Sequence, residues 1–122
     1  MSADEIVTAF HEAGHAVVAA MLGHAVRLVT ILPHAGLAGS CYLEDGGLMT
    51  PSEGAVFTAA ADVAVKLHTN ILEEHHRDFL GDGYDEASAA ARKLLDTPEA
   101  RARTAALAAR LLREKTVVFG QS

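Results

Sequence analysis

The beginning of the chain combines a helix start signal with apolar residues at helical spacing. Ser2-Ala3-Asp4-Glu5 has the form of a capping box, in which a serine and a glutamate three positions later satisfy the first backbone N–H groups. Apolar residues continue from Ile6 to Leu22, and Gly23 is a natural stop. Because they fall on more than one face, we predict a largely buried helix from about Ala3 to Gly23.

The pattern then changes to one that is typical of strands. Val26–Leu32 is rich in β-branched residues and ends at Pro33, which predicts a strand. The turn-rich segment His34–Gly39 leads into a second predicted strand at Ser40–Glu44. The pair indicates a hairpin with a loose loop at one edge of a small sheet.

Three more helices are predicted downstream. A second capping box, Thr50-Pro51-Ser52-Glu53, opens a helix that is predicted to run to about His76. A turn at Gly81-Asp82-Gly83 precedes a predicted helix over Asp85–Leu95. The last helix is predicted to start at Thr97-Pro98-Glu99 and to run to about Lys115.

These elements predict an α+β, mostly helical fold with a buried first helix, a small sheet and then three helices, in a single domain over residues 1–122. The chain is 50% hydrophobic but only 5% aromatic, which suits closely packed helices better than a sandwich of sheets. The apolar tail Val117-Val118-Phe119 is expected to dock on the core, with a contact in a homo-oligomer as the alternative.

Charge and cysteine content narrow the function classes. A formal net charge of −6 without a basic cluster argues against a nucleic-acid partner. The single Cys41 excludes an internal disulfide and favours a reducing, cytoplasmic setting; we expect it to be a small buried hydrophobe. The apolar stretch Ala16–Leu22 is too short to span a bilayer, so a soluble protein without a membrane segment is expected.

The candidate chemistry lies in the first helix, at His11-Glu12-Ala13-Gly14-His15. Positions four apart on a helix lie on the same side, so His11 and His15 can direct their imidazoles at one zinc ion. Glu12 is about 100° round the helix from His11, which places it better for a water on the metal than for a ligand position. This division suits a metallohydrolase, in which the metal activates the water and the glutamate is the general base.

The alternative is a set of polar residues that meet by chance and bind no metal, since a motif this short can arise at random. Burying two histidines and a carboxylate without partners would be costly, which favours the metal site. Gly14 costs the helix about 1 kcal/mol relative to alanine, and a close approach of another element would explain it.

A catalytic zinc ion usually has three protein ligands, so one more must come from downstream. Spacing alone does not choose among the candidates, which are Glu73, Glu74, His75, His76, Asp78, Asp82 and Asp85. Asp62, in a mostly apolar helix, is a candidate acceptor for the ring of a metal-bound histidine. His24 and His68 are expected to be structural or exposed.

The segment AFHEAGHAVVAAMLG, followed by VTILPHAGLAGSCYLED, resembles the opening of the peptidase domain of FtsH-type ATP-dependent zinc proteases. In that family the third zinc ligand is an aspartate that follows a glycine-rich turn, and Gly81-Asp82-Gly83-Tyr84-Asp85-Glu86 resembles this context. The resemblance therefore implies His11, His15 and Asp85 as zinc ligands and Glu12 as general base.

The resemblance also implies a zinc-dependent endopeptidase that hydrolyses polypeptides. Members of the family normally carry a membrane anchor and an ATPase module ahead of this domain, and their middle helix has a G-G-x-x-A-E-E pattern where this chain has Ala59–Val65. We therefore expect an unfolded protein, a peptide or a flexible loop as substrate, or a separate ATPase chain that supplies it.

Two other functions stay open. One is a zinc-stabilised binding or regulatory module that is built on the protease fold and has no turnover. The other is a different small H-E-x-x-H protease that cleaves a regulatory protein, with Glu73, Glu74 or His75 as the third ligand.

Overall fold

The computed structural model describes residues 2–74 and 76–119 and has the predicted α+β, mostly helical fold. Within these residues the elements follow in the order α1 (Ala3–Met21), β1 (Val26–Thr30), β2 (Ser40–Leu43), α2 (Pro51–Thr69), α3 (Arg77–Leu80), α4 (Tyr84–Leu95), α5 (Pro98–Glu114) and β3 (Thr116–Val118). A single 3₁₀ turn, Gly81–Gly83, joins α3 to α4.

The helix starts follow the predicted capping signals. The hydroxyl of Ser2 accepts the backbone N–H of Glu5 at 3.1 Å at the start of α1. Thr50 accepts from Glu53 at 3.1 Å at the start of α2, and in both capping boxes the glutamate side chain bonds back to the cap. Thr97 caps α5 in the same way through the N–H of Ala100. These local bonds fix where three of the long helices begin.

The three strands form one antiparallel sheet in the order β2-β1-β3. The predicted hairpin of β1 and β2 is confirmed, although β1 ends at Thr30, two residues earlier than expected. The third strand was not predicted: the tail docks on the core, as expected, but does so by pairing with β1, and Val117 lies opposite Val29. Val117 is 1% exposed, so the pairing also closes the core beneath α5.

Helix α1 lies at the centre of the molecule and separates two hydrophobic clusters. One cluster packs α1 against the sheet and α5 through Ala9, Ala13, Ala16, Val29, Ile31, Ala108, Leu111 and Val117. The other packs it against α2 and α4 through Val17, Val18, Ala60, Ala64, Ala91 and Leu95. The predicted burial of the first helix on more than one face is confirmed. Across residues 2–74 and 76–119, no helix has the length and apolar character needed to cross a membrane.

Gly14 marks the closest approach of α1 and α2. A Cβ atom at this position would lie 2.6 Å from the Cβ of Ala64 and 2.7 Å from the backbone oxygen of Ala60. Any side chain here would force the helices apart, so the prediction that glycine serves a close approach is confirmed.

The end of α2 differs from the prediction that it would run to about His76. The helix ends at Thr69, because Asn70 adopts the left-handed conformation with φ 63° while its N–H still bonds to the carbonyl of Lys66. Of the residues between Asn70 and the short α3, residues 71–74 and 76 are described and have no regular secondary structure; α3 was also not predicted. His75 lies outside the described residues.

Candidate metal centre

Three histidines from two segments of the chain converge beside the centre of α1. His11 and His15 are one turn apart on α1, and His76 comes from the irregular segment after α2. One ligand atom from each lies within 4.8 Å of the other two, and the ring centroids are 5.0, 5.5 and 5.8 Å apart. In the part of the chain that the structure describes, this is the one group of His, Cys, Asp and Glu side chains arranged to hold a metal ion.

The donor set fits a zinc ion. Three nitrogens bound to one zinc at about 2.1 Å lie about 3.4 Å from each other in a tetrahedral arrangement. The observed spacing of up to 4.8 Å therefore needs a closure of at most about 1.4 Å, which side-chain rotation can supply. In addition, Nε2 of His76 is buried and has no hydrogen-bond partner among the described residues. A metal ion would satisfy this nitrogen, whose burial is otherwise unfavourable.

His15 is held in the orientation that metal binding requires. Its Nδ1 lies 2.8 Å from the carbonyl oxygen of Phe57, so Nδ1–H donates to this oxygen and Nε2 keeps its lone pair. Burial lowers the pKa of His15 to about 4, an effect that the bond to Phe57 opposes and the charge of His76 reinforces. The ring is therefore neutral at pH 7, as a zinc ligand must be.

The carboxylate of Glu12 is buried beside His11. Its Oε2 is 4.0 Å from Nε2 of His11, and the residue is only 5% exposed. Burial raises the pKa of its carboxyl group to about 7. A carboxyl with this pKa can accept a proton and release it again near neutral pH. Gly39 makes the burial possible, because a Cβ there would lie 3.0 Å from Cγ of Glu12.

A cleft of about 230 Å³ opens over His11, Glu12 and His76. Its walls come from the start of α1, from the loop that precedes β2 and from the segment after α2. The remaining lining residues are Val7, Thr8, Gly36, Leu37, Ala38, Gly39 and Glu73. A larger apolar groove between α1 and α5 is lined by described residues that include neither histidine nor carboxylate side chains.

Asp85, the third ligand implied by the resemblance, lies outside the histidine group. It is in the first turn of α4, its side chain is 82% exposed, and its Oδ1 lies 3.2 Å from Nη2 of Arg77. It borders a second cavity of about 240 Å³, which does not include His11 or His15. Its role as a zinc ligand stays a prediction.

The other candidate ligands are dispersed. Glu73 borders the cleft, whereas Glu74 is paired with Arg77. Asp78 and Asp82 are exposed. The structure thus brings together the motif histidines and His76, which spacing alone could not distinguish from its neighbours.

The remaining singled-out residues have structural contacts. His24 bonds to Asp45 with Nδ1 2.7 Å from Oδ2, and His68 stacks on Phe10 with ring centroids 4.8 Å apart. Cys41 lies in β2 and is half-buried, not fully buried as expected. Burial raises the pKa of its thiol to about 12, which makes it a poor nucleophile at neutral pH.

Comparison with known proteins adds no family assignment. No protein-family model matches the chain, and no curated protein matches it significantly.

Proposed function

We propose that the protein is a zinc-dependent endopeptidase, in which His11, His15 and His76 hold the metal and Glu12 is the general base. The observation that carries the proposal is the convergence of three histidine ligand atoms within 4.8 Å beside a buried glutamate. Three imidazoles next to a carboxylate that does not need to ligate are the parts of a hydrolytic zinc centre.

When bound, zinc would act as the Lewis acid that polarises the scissile carbonyl and acidifies the attacking water. Glu12 accepts a proton from that water at a carboxylate oxygen and passes it to the leaving amine. Burial raises the pKa of Glu12 to about 7 in the metal-free protein, and a bound zinc would lower it, which leaves the carboxylate ionised and able to accept that proton. The bond from His15 to the Phe57 carbonyl fixes the tautomer of this ligand throughout.

The shape of the cleft supports an extended peptide as substrate. The loop of residues 36–39 forms one wall and leads directly into β2, which is an edge strand of the sheet. The outer side of an edge strand offers backbone donors and acceptors to an extended chain. We therefore propose unfolded proteins or flexible peptides as substrates, with a separate ATPase chain as the partner that would deliver folded ones.

Metal analysis and a cleavage assay test the proposal together. The protein, purified without chelators, is expected to contain about one zinc per chain. Cleavage of casein or a fluorogenic peptide is expected to fall by about 10²–10⁴-fold in Glu12→Gln while zinc is retained. Glu86→Gln is the matched control, because Glu86 is an exposed glutamate on α4. Cleavage that survives in Glu12→Gln would contradict the role of this residue.

The same material separates the alternatives. Zinc binding without cleavage of any peptide would favour a zinc-stabilised binding module over an enzyme. For the third ligand, His76→Ala is expected to release zinc and Asp85→Ala to retain it. The reverse result would favour the aspartate implied by the resemblance.

A further inference from the structure

Asp62 is the buried carboxylate of α2, and the other buried residues of this helix are alanines and a valine. It is 2% exposed, and its buried neighbours on α2 include Ala59, Ala60, Ala61 and Val65. A carboxylate in such surroundings is unfavourable unless donors compensate for the lost hydration. The groups that donate hydrogen bonds to Asp62 therefore indicate its role.

Both donors meet one oxygen of Asp62. Oδ2 accepts the backbone N–H of His76 at 3.3 Å and the phenolic O–H of Tyr84 at 2.9 Å. Tyr84 is 5% exposed at the start of α4, and the guanidinium of Arg77 lies 4.5 Å from its ring centroid. A single carboxylate oxygen thus ties α2 to α4 and to the segment that carries His76.

The backbone around His76 needs such a tie. The residue follows an irregular segment, and it is the N-cap of the four-residue α3 without a side-chain cap bond of its own. An irregular segment at the surface has few contacts to fix a ligand within the few tenths of an ångström that a zinc site demands. The bond to Asp62 links the backbone of His76 to the rigid helix α2, which packs on the helix that bears His11 and His15.

We propose that Asp62, itself oriented by Tyr84, is a positioning residue that holds His76 in place as the third zinc ligand. The inference rests on the proposed function and deepens it, because it assigns a role to a carboxylate that contacts neither the metal nor the substrate. It differs from the sequence expectation in one respect: Asp62 bonds to the backbone of a histidine and not to its ring. Loss of an outer partner of this kind typically weakens metal binding by about 10–100-fold.

Two substitutions at Asp62 separate positioning from packing. Asp62→Leu removes the oxygen that accepts both hydrogen bonds and puts an apolar side chain of similar length in its place. Asp62→Asn is the conservative variant, because its amide oxygen can take the position of Oδ2 and accept from both donors. Zinc affinity, measured by competition with a chromogenic chelator, is expected to fall by about 10–100-fold in Asp62→Leu. It is expected to stay much closer to wild type in Asp62→Asn.

A double-mutant cycle shows whether the effect passes through His76. If it does, adding Asp62→Leu to His76→Ala should cause no further loss of zinc affinity. Equal losses in both backgrounds would overturn the positioning role, as would unchanged affinity in Asp62→Leu. If Asp62→Leu does not fold, Tyr84→Phe carries the test, with a smaller loss of affinity expected and no further loss in the His76→Ala background.

A metal-free measurement keeps the two proposals distinguishable. In the presence of a chelator, hydrogen exchange at the backbone amide of His76 should be slow in wild type and faster in Asp62→Leu. The two proteins are compared under conditions in which their free energies of unfolding are equal. If the amide behaves in this way but His76→Ala leaves zinc affinity unchanged, the proposed third ligand is wrong and the tether to Asp62 stands only as a structural bond. If His76→Ala releases zinc and the amide is unaffected by Asp62→Leu, the ligand stands and the positioning role is overturned.

Discussion

Glu12→Gln should make the metal-free protein more stable, because burial of this carboxyl opposes its ionisation. Burial raises the pKa of Glu12 to about 7 from an ordinary value of 4.5. Between these two pH values the folded protein binds more protons than the unfolded chain. The sign follows from this difference: wild type loses stability as the pH rises through this range, and glutamine, which does not titrate, loses none of it.

The magnitude follows from the same two values. The interval between 4.5 and about 7 corresponds to about 3.4 kcal/mol once the carboxyl is ionised in both states, at about 1.4 kcal/mol per pH unit. Nearly 1 kcal/mol of this is already lost at pH 5, where most unfolded chains are ionised at this residue. The loss of wild-type stability between pH 5 and pH 8 is therefore about 2.5 kcal/mol.

Urea unfolding in the presence of a chelator measures this difference. The free energy of unfolding of Glu12→Gln minus that of wild type is expected to grow by about 2.5 kcal/mol between pH 5 and pH 8. The exposed control Glu86→Gln should show little change. A difference that is constant with pH, or that shrinks as pH rises, would refute the reasoning. Added zinc should reduce the pH dependence, since a nearby cation lowers the pKa of a carboxyl.

Gly14→Ala is expected to destabilise the protein by about 1–3 kcal/mol, because its Cβ would overlap α2 at 2.6 Å. The control Gly54→Ala, which meets no described atom within 4 Å, should stabilise it by up to about 1 kcal/mol. Equal effects in thermal unfolding would contradict the close packing of the two helices. The bond to Asp45 raises the pKa of His24, so its ion pairs stabilise the fold below about pH 6.5 and are lost as pH rises through the folded-state pKa. The stability difference between wild type and His24→Gln should therefore shrink from pH 6 to pH 9, and an increase would refute this.

The helix starts could be predicted from the sequence because their causes are local. Ser2, Thr50 and Thr97 each accept a backbone N–H three residues later, so the signal and its consequence lie within one turn. The motif histidines were equally predictable, since a helix places His11 and His15 on one side whatever surrounds it.

Strand β3 could not be predicted in the same way. Its three residues pair with β1, and the partners Val117 and Val29 are far apart along the chain. A segment of this length has no periodicity to read, and its strand conformation depends on the neighbour that it meets. The sequence predicted only that the apolar tail would dock.

Prediction of the third histidine depended on where α2 ends. Asn70 indicates the end of α2 in the sequence, because asparagine tolerates the left-handed conformation that often ends helices. The prediction extended α2 past Asn70 to about His76. It therefore missed the irregular segment that places His76 next to α1. The selection of His76 over its neighbours then comes from tertiary contacts, including the bond to Asp62, that spacing does not encode.

A crystal structure of the zinc-loaded wild-type protein, with the ion located by anomalous scattering, tests the proposed centre most directly. One ion is expected between α1 and the segment after α2, bound by nitrogens of His11, His15 and His76 at about 2.0–2.1 Å. Glu12 should lie beside it without ligating it. An ion bound by Asp85 in place of His76, or no ion between the two motif histidines, would contradict the proposal.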